Sequence, residues 1–196
     1  MNRAFYLAGW GYVAIAALAL LRPTVTGEPV YGPDPLVQFG GSDGASWFQR
    51  TKPFCNALEV EVRIAHDPPP ASVDGTGFGA ACLALAGKID AARTRIDALP
   101  AENRADAAGI VFGVGHPVAD MGGDASAGPI MRLVVEYQPW NYMALYHAGI
   151  SYYELGEATL AREHLEKFLQ AYNVQDGWRS NATTVLSRLG ERQLER

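Results

Sequence analysis

Little in this chain of 196 residues is equipped for chemistry. Its two cysteines, Cys55 and Cys82, have neither CxxC spacing nor accompanying histidines, so a thiolate zinc site is not expected. The four histidines, His66, His116, His147 and His164, form no i,i+4 pair with one another. His147 and His164 would lie on two helices of one hairpin and meet there, but two ligands do not make a metal site. Gly113-Val114-Gly115 lacks the third glycine of a phosphate loop and no strand precedes it, so close helix packing is its expected use. Ser42, Ser46 and Ser126 have no neighbours that would make a nucleophile. These absences leave no catalytic residue, no metal ligand and no cofactor to expect, and a small helical enzyme or cofactor-binding protein is the weaker alternative. There is also no basic run, and the net charge is −5, which argues against nucleic acid and against a polybasic lipid-binding surface. No segment reads as a β-sheet, so the expected fold is all-α.

Charge is missing in one place above all. After Arg3, residues 4–21 (AFYLAGWGYVAIAALALL) carry none. As a helix this run reaches about 27 Å, enough for the hydrocarbon core of a bilayer. Three readings compete: a transmembrane anchor, a cleaved signal peptide and a buried helix. Ala17-Leu18-Ala19 has the form of a cleavage site but falls inside the apolar run. Phe5, Tyr6, Trp10 and Tyr12 crowd one end as an aromatic belt would, which favours an uncleaved anchor over 1–22. Arg3 and the terminal amine before the span would keep the N-terminus in the cytoplasm and put the rest in the periplasm, across a bacterial inner membrane. In that oxidising compartment Cys55 and Cys82 are expected to form one disulfide, with two buried thiols as the alternative.

Residues 23–46 read as an extended linker, stiffened by Pro23, Pro29, Pro33 and Pro35 and made pliable by Gly40, Gly41 and Gly44. Tyr31, Leu36 and Phe39 give it more apolar surface than a spacer needs, and they are candidate contacts to a neighbouring subunit. From Trp47 to Arg196 the pattern is helical. Cys55, Leu58, Val62 and Ala65 recur at helical spacing, Asp67-Pro68-Pro69-Pro70 is a stop, and 78–99 forms a further helical stretch. Ser180 or Asn181 is placed to cap a last helix along whose length Ala182, Val185, Leu186 and Leu189 make the apolar stripe.

The most informative segment is 145–169, LYHAGISYYELGEATLAREHLEKFL. Small Gly149 sits where two helices would approach, Tyr152 fills the gap, Gly156 begins a turn, Ala161 is small at the crossing, and Leu165 and Leu169 close the second helix. One period of about 34 residues earlier come Gly115, Gly122 and Ala127, and a further period back come Ala80, Leu83, Gly87, Ala92 and Ile96. This order resembles the tetratricopeptide repeat, with units at about 73–106, 108–139 and 142–175 and a capping helix at 179–192. The chain departs from the family at Phe168, where alanine is usual. Pro117 and Gly128-Pro129 are also foreign to the middle unit, where a kink or a shortened helix is expected.

The resemblance implies partner binding on a concave face lined by the first helix of each hairpin. That face would present Phe112, His116, Ala119 and Asp120 on the middle unit, and Met143, Tyr146, Ile150, Tyr153 and Glu154 on the last. The alternative for Tyr146 and Tyr153 is that they cover a neighbouring hairpin. An anchor, a linker and a repeat domain together imply a non-catalytic structural or assembly subunit of a larger bacterial inner-membrane complex, with the membrane and other protein subunits as partners. An energy-converting complex, photosynthetic or respiratory, is one such host. A free-standing periplasmic scaffold for secretion, division or envelope assembly is the alternative.

Overall fold

In a computed structural model that describes residues 41–194, glycines and prolines punctuate a chain of helices. The apolar run 4–21 and the linker residues Tyr31, Leu36 and Phe39 lie outside the described residues. All regular structure among the described residues is helical, with no strand, and none of these helices is long and apolar enough to cross a membrane.

The helices are α1 (Asp43–Thr51), α2 (Val60–His66), α3 (Val73–Leu85), α4 (Ile89–Asp97), α5 (Ala101–Asp120), α6 (Asp124–Tyr137), α7 (Tyr142–Glu154), α8 (Ala158–Ala171) and α9 (Gly177–Leu194). A short 3-10 turn, Lys52–Phe54, follows α1. From α3 onward they pair as hairpins α3/α4, α5/α6 and α7/α8, and α9 packs on the last of these. Each hairpin turns at a glycine in the left-handed region, Gly87 at φ 75°, Gly122 at 74° and Gly156 at 79°. A side chain there would be strained, so these positions set where one helix ends and its partner starts. Gly87 thus breaks the stretch 78–99 into α3 and α4.

The first helices depart from the reading of one continuous apolar face after Trp47. Pro53 confines 52–54 to a 3-10 turn, and the Asn56 side chain accepts from the backbone N–H groups of Leu58 and Glu59, both at 3.1 Å. This local turn restarts the helix at Val60, so Leu58 and Val62 point outward and are 91% and 73% exposed. Helix α1 also begins earlier than the linker reading allowed. Ser42 caps it by accepting from Ala45 N at 3.1 Å, and Gly44 N donates to Asp74 Oδ2 at 3.1 Å. A Cβ on Gly44 would come within 2.6 Å of that carboxylate, so this glycine serves a close approach rather than pliability.

Cys55 and Cys82 form a disulfide that ties the turn after α1 to the middle of α3. Trp47 is sealed at 1% exposure, with its indole N–H donating to Asp67 O at 2.8 Å. Further along, Ile110, Met131, Leu133, Leu145, Leu165 and Phe168 are fully buried, each removing apolar surface that contributes about 1.5–3 kcal/mol. Phe168, the residue foreign to the repeat pattern, fills its site by stacking on Tyr172 at 5.0 Å and meeting Tyr146 at 5.2 Å.

Successive hairpins are also tied by polar contacts. Arg93 on α4 grips Glu136 on α6 with two bonds of 2.6 and 2.9 Å, and Tyr137 donates to Asp97 Oδ1 at 3.0 Å. Of the kink or shortened helix expected at Pro117, the shortening does not occur. Helix α5 runs three residues past it, and Gly113 at i−4 is the carbonyl-bearing residue the ring would crowd. The last helix is capped by Asp176 rather than Ser180 or Asn181. Its carboxylate accepts from Trp178 N at 3.0 Å and Arg179 N at 3.1 Å.

Candidate functional site

Helices α5 and α7, the first helices of the second and third hairpins, bring three potential ligand atoms together. His116 and Asp120 stand one turn apart on α5, so both face the same way. His147 faces them from α7. The two imidazoles approach Nε2 to Nε2 at 2.9 Å, a hydrogen bond in which one ring donates and the other accepts. Asp120 Oδ1 lies 3.9 Å from the His116 nitrogen and 3.7 Å from that of His147, too far for a direct hydrogen bond to either.

Local packing fixes the rings. Gly115, next to His116, has no Cβ, and one there would lie 2.5 Å from Ile130 Cγ2 on α6. That close approach settles α5 against its partner helix. Phe112, one turn before His116, stacks on its ring at 4.9 Å. On the other side Tyr146 and Trp178 meet the His147 ring edge-on at 5.4 and 5.9 Å. Both histidines are buried, at 9% and 6% exposure, whereas the Asp120 side chain is 38% exposed and opens the cluster to solvent.

Burial dominates the electrostatics. It pushes the His147 pKa down to about 3, with His116 beside it acting in the same direction. Burial also lowers the His116 pKa, against the opposing pull of Asp120. Both rings are therefore neutral at pH 7, the form in which imidazole nitrogens ligate metals. Tyr146 is raised by burial, and its hydroxyl accepts from Asn181 Nδ2 at 2.6 Å.

Of the contact residues expected on the concave face, the structure gathers Phe112, His116 and Tyr146 around His147. Tyr146 is only 7% exposed, covered by Trp178 and Asn181 of α9, so its ring serves the neighbouring helix. Met143, Ile150 and Tyr153 are half-buried on α7 and border the buried residues 144–149 and 151–152. The expected meeting of His147 with His164 does not form. His164 turns back along α8 and its Nδ1–H donates to Leu160 O at 2.8 Å. The partner of His147 is instead His116, 31 residues earlier, on the first helix of the preceding hairpin. The sequence showed His116 and Asp120 at i,i+4, one half of the cluster, but nothing in it placed His147 opposite them. A search for histidine pairs alone passes over that half.

A separate groove of about 740 Å³ lies between α2, α3 and α4, lined by Glu61, Ile64, Leu83, Arg95 and Leu99 among others. None of the expected contact residues lines it. Compared with family models, curated proteins and solved structures, the chain matches none.

Proposed function

We propose that this chain is a non-catalytic binding subunit that docks helical hairpins onto neighbouring proteins at a membrane surface. The observation that carries the reading is the apolar stripe of Met143, Ile150 and Tyr153 on α7, half-buried at helical spacing on the first helix of a hairpin stacked in series. Aromatic and long apolar side chains in such a position offer contact area at small entropic cost. The Cys55–Cys82 disulfide supports an oxidising compartment, in keeping with a periplasmic domain behind the uncharged run 4–21. A larger inner-membrane assembly is the host in this reading, and a photosynthetic or respiratory complex is one candidate.

Extraction in mild detergent, separation of native complexes by size and location of the chain by mass spectrometry test it. Stoichiometric migration with a large assembly is expected, with cross-links from 22–46 and from the Tyr153 face. Ile150→Lys combined with Tyr153→Lys should release the chain from that assembly at temperatures where circular dichroism shows the variant still folded, since both side chains also pack against the core. Migration alone, near its own 21.1 kDa plus detergent, would overturn the subunit reading in favour of a free-standing envelope adaptor.

A further inference from the structure

We propose that His116, Asp120 and His147 bind a divalent transition-metal ion of the zinc class. All three potential ligand atoms lie within 4.8 Å of one another. Their separations of 2.9, 3.7 and 3.9 Å define a triangle whose centre is about 2.1 Å from every corner, the length of a zinc–nitrogen or zinc–oxygen bond. An ion near that point lies at bonding distance from all three atoms. It replaces the bond between the imidazoles with one bond to each, and it draws in a carboxylate that neither ring reaches directly.

The donor set narrows the ion. Two imidazoles and one carboxylate suit zinc, cobalt, nickel and iron, and do not suit calcium or magnesium, which take oxygen ligands throughout. Three protein ligands leave at least one position open. Asp120, the exposed member, places it on the solvent side, where a water molecule completes the shell. Phe112 stacked on one ring and the edges of Tyr146 and Trp178 against the other hold both imidazoles in place before the ion arrives. Such preorganisation favours tight binding, since little side-chain freedom remains to be lost.

The inference is independent of the docking role, and failure of either leaves the other standing. Its test is titration of the chelator-treated full chain, in detergent, with Zn²⁺ by calorimetry and with Co²⁺ by its visible d–d absorption. One equivalent of Zn²⁺ is expected, and tetrahedral or five-coordinate Co²⁺ bands. His147→Gln should weaken binding more than about 100-fold, beyond the 10–100-fold typical of losing an outer-shell partner. His147 is buried, so Asp120→Asn provides the variant that leaves the core intact. It should weaken binding about 10-fold or more while the unfolding midpoint of the metal-free protein stays unchanged. Absence of saturable binding would overturn the site, as would binding that survives both substitutions. The histidine pair would then be a hydrogen bond of the core.

Discussion

At Gly149 one absent carbon sets how near α7 and α8 can come. A Cβ there would sit 2.5 and 2.6 Å from Leu165 Cγ and Cδ2 and 3.2 Å from the Leu165 backbone nitrogen. Gly149→Ala is therefore expected to lower stability by about 1–3 kcal/mol through overpacking, read as a fall in the urea midpoint. Pairing it with Leu165→Ala should cost less than the sum of the two single changes, because the smaller side chain makes room for the new methyl. Gly156→Ala also destabilises, by about 1–2 kcal/mol, through its left-handed φ of 79° with nothing within 4 Å, so it should add to Leu165→Ala without coupling. Additivity in both pairs would contradict the steric account of Gly149. His164 makes a second case at this scale. Burial lowers its pKa, partly offset by the Leu160 carbonyl and Glu163, while Lys167 and Arg132 lower it further. Above about pH 6.5 the ring is neutral in folded and unfolded chains alike. Below it the unfolded chain takes up a proton that the folded one refuses, so stability falls as pH drops towards the folded value, by up to about 1.4 kcal/mol per pH unit. Denaturation at pH 7.5 and 5.5 should show a smaller acid loss in His164→Gln than in the parent, and an equal loss would remove His164 as a source. Gly149 and Gly156 were legible in the sequence because size at a helix crossing and handedness at a turn depend on near neighbours. The cluster of His116, Asp120 and His147 was not, because it depends on the angle between two hairpins.

At the scale of elements, the disulfide is the one covalent tie among the described residues. Cys55 and Cys82 are 27 residues apart, and closing a loop of that length removes about 3.5 kcal/mol of unfolded-state freedom on the chain-entropy account. Cys55→Ser with Cys82→Ser is expected to lower unfolding free energy by about 2–4 kcal/mol, measured in denaturant without reductant. Adding reductant to the parent should bring it to the same midpoint. A parent indifferent to reductant would show that the bridge contributes nothing. The bridge was readable as one of two alternatives, but the backbone around it was not. Cys55, Leu58 and Val62 have the spacing of a continuous helix face, and that spacing survives when the helix stops and restarts in a new direction. What decides is Pro53 followed by the Asn56 side chain, whose carbonyl takes two backbone N–H groups that the helix would otherwise need. Similarly Asp176 outcompetes Ser180 and Asn181 for the start of α9. It stands in the turn itself, hydrogen-bonded to Tyr172, and reaches the first free N–H groups before they do. The long helix α5 runs three residues past Pro117, close to its C-terminal end, where the proline removes one backbone donor and few bonds remain to be broken.

For the whole molecule, hairpins stacked in series make stability a sum of neighbouring interfaces, so the two ends should open before the middle. The ends are not equivalent. The segment between α1 and α2 is stapled to α3 by the disulfide, and buried Phe48 of α1 stacks on Phe78 of α3 at 5.2 Å. Helix α9 is held by Ala182, Val185 and Leu189 in the core, by Trp178 against Tyr146 at 4.7 Å, and by Arg179 closing the end of α8 through the Leu169 and Tyr172 carbonyls. No covalent tie reinforces it. Native-state hydrogen exchange is therefore expected to release α9 first, with α5 and α7 exchanging only on global unfolding. Trp178→Ala should accelerate α9 selectively, at a cost of about 1–3 kcal/mol to its local opening, since the indole is only half-buried. Reductant should instead bring α1 and α2 forward and leave the α9 rates where they were. Uniform acceleration of every helix by either change would mean that the stack unfolds as one cooperative block, and the nearest-neighbour description would fail. If α9 does open alone, it uncovers Tyr146 beside Met143 and Ile150, and the apolar surface of α7 becomes larger than the one seen in the closed stack.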